Sequence, residues 1–338
     1  MSSKTRATCA VLGDGGWGTA LAIHLYRLGH QVVWWGAFPD YLRELNRRRE
    51  NRTFLPGVAI PQGIRIVPEL PRAVRQAQLI VLAIPSQHLR SVARRLKPCL
   101  DPVHRSILLS AAKGLERRTR TRMSQVIREQ LGAVPLAVLS GPTIAAEVAR
   151  GQPASAVAAS SSSVIAQTVQ RWCMSERLRL YTSRDVAGVE LGGALKNPIA
   201  IAAGVCDGLG LGSNAKAALI TRGVVEMARL GTAMGGREET FWGLSGLGDL
   251  VTTCLSGRNR WLGEQLGRGR SLRAVLASTP MVIEGVDTAK AAVALGRRYD
   301  VELPIIEQVH AILCRRQSPR KALQALMLRA GKAESSSR

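Results

Sequence analysis

The stretch "ATCAVLGDGGWGTALA" near the N-terminus constrains this chain more than any other. A short apolar run closes on Gly13, Gly15 and Gly18 follow at G-x-G-x-x-G spacing, and the apolar-periodic segment "TALAIHLYRLGH" begins at once. That order reads as strand, tight turn, helix. The first glycine makes the turn, the second lets the backbone approach a pyrophosphate, and the third lets helix and strand pack closely, with the phosphate at the helix N-terminus. Gly16 and Trp17 lie inside the same turn. Glycine is common here, 33 of 338 residues, so the spacing alone is weak. Its place at the first strand-to-helix turn is what predicts a dinucleotide site. The competing reading is a tight turn that holds nothing.

The rest of the first half repeats the pattern. "QVVWW", "AQLIVLAIP", "SILLSAAKG", "PLAVLSGP" and "ASAVAASSSS" are apolar runs bounded by turn residues, with helix-length polar segments such as 86–96 and 117–131 between them. Continuously apolar strands alternating with helices predict an α/β fold with a parallel, doubly wound sheet. The serine run reads as a helix entry. From about residue 185 strand-like runs stop, and helical segments are expected over 186–205, 214–230, 238–244, 258–268, 271–277, 286–298 and 304–314. The expected division is therefore 1–185 for a dinucleotide-binding domain, 186–330 for an all-helical substrate and catalytic domain, and 331–338 for a disordered tail.

Composition narrows the class. Hydrophobic residues make up 46% and charged residues 21%, values of a globular protein with room for two cores. No secretory signal is read at the N-terminus and no apolar segment reaches the ~20 residues of a membrane helix. Cys9, Cys99, Cys173, Cys206, Cys254 and Cys314 are scattered, without metal-ligand spacing, which predicts reduced thiols, no metal and a cytoplasmic location. The net charge of +23 raises nucleic acid, anionic membrane and acidic substrates as partners. Aromatic residues are only 4%, and no zinc-finger, RNA-recognition or basic-zipper pattern is present, so specific nucleic-acid binding is not expected.

The second strand of such a fold commonly ends in an acid for the adenosine ribose. Here it ends "WWGAFPD", with Ala37 at the lip and Asp40 beyond it. Arg43, Arg47 and Arg52 follow, each able to pair with a 2′-phosphate. The balance tilts weakly to NADP, with NAD open.

Three blocks exceed what a scaffold needs. "AAKGLE" sets Lys113 after a sheet strand, and "SGPTIAAE" sets Gly141, Thr143 and Ala145 after another, at the edge where open α/β folds collect ligands. "GLGDLVTTCLSGRNR" gathers Asp249, Thr253, Gly257, Arg258 and Asn259 around a glycine-rich turn. "VELGGALKNPIAIAAG" buries a lysine, Lys196, and Asn197 among small apolar residues, where an unpaired charge is costly. Taken singly, each has a structural reading as cap or surface charge.

Taken in order, these blocks and "GVELGGALKNPIAIAAGVCDGLGLGSNAKAALITRG" resemble the soluble nicotinamide-dependent glycerol-3-phosphate dehydrogenases, across residues 9 to about 290. The resemblance implies a Rossmann-like domain followed by a helical one, usually as a homodimer. It also implies hydride exchange between NADP or NAD and dihydroxyacetone phosphate or glycerol-3-phosphate, feeding phospholipid synthesis. Lys196 matches the proton acceptor, with Lys113 as a second cation and Asp249 as the orienting or balancing carboxylate. Asn197 and Thr253 match substrate contacts, Arg258 and Asn259 the phosphate clamp, and Gly141 and Thr143 the substrate loop. Ala145, Val282 and Glu284 match cofactor contacts, joined by Lys113 and Arg258. The chain departs from many bacterial members at Ala37, where they carry a basic residue, and at Gly257, where they carry serine. Two other readings stand beside it: a hydroxy-acid dehydrogenase of similar build, and a non-catalytic Rossmann protein that binds nucleic acid. The surplus charge suggests attraction to anionic substrate and a weak contact with anionic lipid.

Overall fold

The structure, a computed structural model, describes residues 6–100, 106–331 and 333–334. The apolar runs become strands: β1 (Thr8–Leu12), β2 (Gln31–Trp35), β3 (Glu50–Asn51), β4 (Leu55–Ala59), β5 (Arg65–Val67), β6 (Leu79–Leu82), β7 (Ile107–Ser110), β8 (Leu136–Ser140), β9 (Ala154–Ala159) and β10 (Leu178–Ser183). Eight of them form one sheet in the order β10-β9-β8-β7-β6-β1-β2-β5, and β3 pairs with β4 in a separate antiparallel ribbon. Every residue of β6 and β8 is buried, as strands covered on both faces must be. The period of two then divides each strand between two cores: Cys9 and Val11 face one, Ala10 and Leu12 the other.

Helices α1 (Gly16–Arg27), α2 (Pro39–Arg48), α3 (Leu70–Val74), α4 (Ser86–Leu96), α5 (Met123–Leu131), α6 (Ala145–Arg150) and α7 (Ser163–Cys173) link the strands. The serine run does enter a helix, with the Ser162 hydroxyl accepting from the Ile165 amide. The segment 117–131 begins its helix only at Met123, because Leu115 and Arg122 close a bridge across the intervening turn.

The sheet is parallel, as expected from sequence, except at one pairing. The β8–β9 pairing is antiparallel, and β9 and β10 run together against the rest. A parallel crossover must carry the chain back along the full strand, but α6 has 6 residues and rises only about 9 Å. The chain therefore re-enters the sheet from the end at which it left.

Beyond β10 the chain is helical: α8 (Val186–Gly208), α9 (Ser213–Ala233), α10 (Glu238–Trp242), a π turn at Leu244–Gly248, α11 (Asp249–Leu255), α12 (Arg258–Gly267), α13 (Leu272–Ala277), α14 (Glu284–Arg298), α15 (Pro304–Arg315) and α16 (Pro319–Met327). Two of these add to the sequence reading: neither the helix at 249–255 nor α16 was among the expected helical segments. The disorder expected at 331–338 lies mostly outside the described residues.

Helix α8 is the axis of this half. It is buried along nearly its whole length and packs against β8, α9, α11, α12, α14 and α15. Glycine makes the tightest of these contacts possible: a Cβ on Gly204 would lie 2.8 Å from the Glu264 amide nitrogen, and one on Gly263 2.9 Å from that of Val205. Asp185 caps the helix, accepting from the Gly188 amide at 2.8 Å while its other oxygen takes the Arg237 amide and the Thr240 hydroxyl. Glu190 ties it to the sheet layer, accepting from the Ser124 amide at 2.7 Å and from Arg122 at 2.6 Å. The acid nearest to Lys196 in the sequence is thus committed elsewhere.

Candidate active site

The carboxyl ends of β1, β6, β7 and β8 face the helical half, and the residues singled out from sequence collect there. The glycine turn after β1 is held from behind. The Gly13 amide donates to the Trp35 carbonyl at 2.8 Å, and the Trp34 indole donates to the Gly13 carbonyl at 2.8 Å. Asn51, fully buried, donates from Nδ2 to the Asp14 carbonyl and the Thr19 hydroxyl, while Tyr41 fixes its Oδ1. No local signal marked Asn51, because the partners of its Nδ2 lie 37 and 32 residues away.

The front of the turn is open. A Cβ on Gly15 would meet nothing within 4 Å, so glycine there keeps space free rather than relieving an internal clash. Two polar atoms of the turn, Asp14 Oδ2 and Trp17 Nε1, are sealed from water with no hydrogen-bond partner. An open backbone at the start of α1 beside unused polar atoms fits a dinucleotide. Ala145 sits at the same place: a Cβ on Gly16 would touch its methyl at 3.9 Å. Ala37 and Phe38 are exposed at the end of β2, and Phe38 is 67% accessible.

Next to the turn stands a charge cluster. The Lys196 ammonium donates to Asp249 Oδ1 at 2.7 Å and to the Thr253 hydroxyl at 2.6 Å. Lys113 donates to the other oxygen, Oδ2, at 2.8 Å, and also to the Gly141 carbonyl and the Thr143 hydroxyl. One carboxylate therefore bridges two lysines, leaving a surplus positive charge. Lys196 is 5% exposed and Asp249 2%. Burial pushes the Lys196 amine down to about 8; Asp249 opposes that shift and Lys113 adds to it. The π turn at 244–248 delivers Asp249 to this point, a use often seen for such turns at functional sites.

The remaining candidates complete the wall. Asn197 Oδ1 accepts from Asn259 at 2.9 Å, and Asn259 Oδ1 accepts from the Gly285 amide at 3.0 Å, so both amides bind the helices to one another. Asn259 is buried, and its side chain is spent on this scaffold. Gly257 precedes α12 with a φ of +104°, a backbone state that disfavours serine. Arg258, the first residue of α12, keeps solvent contact. Burial lowers its pKa, opposed by the nearby Glu284, and no described residue forms a hydrogen bond or ion pair with it. Glu284 accepts from the Ser86 amide at 2.9 Å and from its hydroxyl at 2.5 Å, joining α14 to the end of β6. Ser86 was not legible as a site residue. Val282 lies just before α14, 39% exposed. Arg43 is paired with Asp40 and Arg52 with Glu50, both at the surface, so two of the three loop arginines already have partners.

A family model described as the NAD-dependent glycerol-3-phosphate dehydrogenase N-terminus matches residues 8–166, and one described as its C-terminus matches residues 185–324. The chain belongs to this family. It is 44% identical over 330 residues to a glycerol-3-phosphate dehydrogenase [NAD(P)+] of Desulfitobacterium hafniense, covering 97% of this chain and 93% of that one. It is 47% identical over 325 residues to the protein of the same name in Pelotomaculum thermopropionicum, covering 95% and 93%. Among solved structures, the glycerol-3-phosphate dehydrogenase of Coxiella burnetii superposes with a TM-score of 0.91 at 38% identity, over 96% of this chain and 99% of that one. The N-terminal Rossmann-like domain and the helical region after it are the family's fold. Among the described residues no helix is long and apolar enough to cross a membrane, and no group of three or more His, Cys, Asp or Glu is placed to hold a metal.

Proposed function

We infer that this chain is an NAD(P)-dependent glycerol-3-phosphate dehydrogenase, interconverting dihydroxyacetone phosphate and glycerol-3-phosphate. The observation that carries this is the bridge of two lysines by Asp249 beside an open glycine turn. The glycine turn, Ala145, Val282 and Glu284 would hold the dinucleotide, which when bound exchanges a hydride with the substrate's C2.

The remaining chemistry belongs to the chain. Reduction of a ketone places a proton on its oxygen, and oxidation of the alcohol removes one. Lys196, with an amine near 8, does either close to neutral pH. Asp249 aims the ammonium and Lys113 keeps its affinity for the proton from rising. The surplus positive charge of the cluster also stabilises negative charge on the substrate oxygen. Arg258, without a paired carboxylate at the start of α12, takes the substrate phosphate together with amides of that first turn. Asn259 supports this clamp from behind through Asn197 and Gly285.

The test compares dihydroxyacetone phosphate with dihydroxyacetone, using wild type and Arg258→Ala. The reading expects strong preference for the phosphorylated substrate and loss of that preference in the variant. Equal rates on both substrates in the wild type would contradict it.

We also read the boundary between domains at 185–186, supported by the end of β10 at Ser183 and the start of α8 at Val186. A cytoplasmic homodimer supplying phospholipid synthesis follows from the family resemblance, and the net charge of +23 supports a weak contact with anionic lipid. Flotation with acidic liposomes at moderate salt tests that contact; protein left in solution would refute it.

A further inference from the structure

We propose that Asp14 reads the adenosine ribose of the cofactor and selects NAD(H) over NADP(H). The proposal rests on the dinucleotide reading above and adds a residue to it. Asp14 lies between Gly13 and Gly15 at the carboxyl end of β1, whose last residue, Leu12, pairs with Trp35 at the end of β2. Its side chain crosses to that neighbour: a Cβ on Gly36 would lie 2.7 Å from both Cβ and Cγ of Asp14. The end of β2 is where a ribose-binding acid usually stands. Here the strand continues Gly36-Ala37-Phe38-Pro39 without one, and Asp40 is turned outward to Arg43. Asp14 therefore delivers a carboxylate to that position from the adjacent strand.

Backbone amides of Ala37 and Phe38 hydrogen-bond the carboxylate, but its Oδ2 is sealed from water and has no hydrogen-bond partner. Leaving such a group unsatisfied is costly unless something else completes it. Burial raises its pKa, and the amides of Asp14, Ala37 and Phe38 beside it pull the other way. At the lip, Ala37 and the exposed ring of Phe38 offer an apolar edge for a base. A ribose diol donates hydrogen bonds to a carboxylate, whereas a 2′-phosphate brings negative charge against it. Of the three loop arginines, Arg43 and Arg52 are already paired with Asp40 and Glu50, which leaves Arg47 as the one cation of the three without a carboxylate among the described residues.

The test is equilibrium binding, read by the fluorescence of NADH and NADPH on titration with wild type, Asp14→Asn and Asp14→Ser. Expected is binding of NADH at least ~10-fold tighter than NADPH by the wild type, and in the variants a ratio narrowed by about that factor, chiefly through tighter NADPH. Competition by AMP and by adenosine 2′,5′-bisphosphate against NADH on the wild type asks the same question without a variant, and AMP should win. Equal or tighter binding of NADPH by the wild type, or variants that weaken both dinucleotides alike, would overturn the proposal. Binding of neither would overturn it together with the dinucleotide reading beneath it.

Discussion

Asp249→Asn separates the electrostatic role of the carboxylate from its shape. In the folded protein Asp249 faces two ammonium groups at 2.7 and 2.8 Å. For charge centres about 4 Å apart at an effective dielectric near 20, the attraction to Lys196 is about 4 kcal/mol, or roughly three pKa units. The variant keeps the amide oxygen as an acceptor, so we expect a fall of roughly two to three units, from about 8 in the native protein. Ketone reduction needs the ammonium, so the native rate should decline above about pH 8, and oxidation, which needs the free amine, should rise toward the same value. In Asp249→Asn both breaks should move down by that amount, and reduction near pH 7.5 should slow by ~10²-fold because few sites retain the proton. The assay is kcat/KM in both directions from pH 5 to 10, with circular dichroism confirming the fold. A break that stays near 8 would refute the claim that Asp249 sets the proton affinity of Lys196.

Lys113→Met should do the reverse: with the second cation gone, the break in the same profile should rise above about 8, and one that moves down instead would contradict the assigned roles. Gly15→Val should abolish dinucleotide binding while leaving the melting temperature nearly unchanged, because its side chain enters open space; NADH fluorescence and a thermal melt read both. Glu190→Ala should destabilise the fold by about 3 kcal/mol in urea titration, since it leaves the Arg122 charge and the Ser124 amide without their buried acceptor.

What was legible in the sequence followed from local pattern. The glycine turn, the buried strands and the helices from 186 onward are written in spacing and periodicity, and Lys196 stood out because a lysine among small apolar residues needs a reason. What was not legible depends on distance or direction. Lys196 and Asp249 are 53 residues apart, and only the packing of α11 on α8 brings them together. The block around Asp249 reads as a glycine-rich turn, yet the π turn formed there feeds directly into a helix over 249–255. The reversal of β9 hangs on the shortness of α6. Asn259 carries donors suited to a ligand, but in the structure its amide pairs with Asn197 and Gly285, a commitment that no local pattern announces.

The central claim is that the Lys196 amine moves the proton. Initial rates of dihydroxyacetone phosphate reduction by wild type and Lys196→Ala, measured with NADH and NADPH at pH 7.5, test it most directly. The account predicts turnover by the wild type and a loss of at least ~10²-fold in the variant, with dinucleotide binding retained. A variant that keeps its rate, or a wild type that turns over neither cofactor, would contradict it.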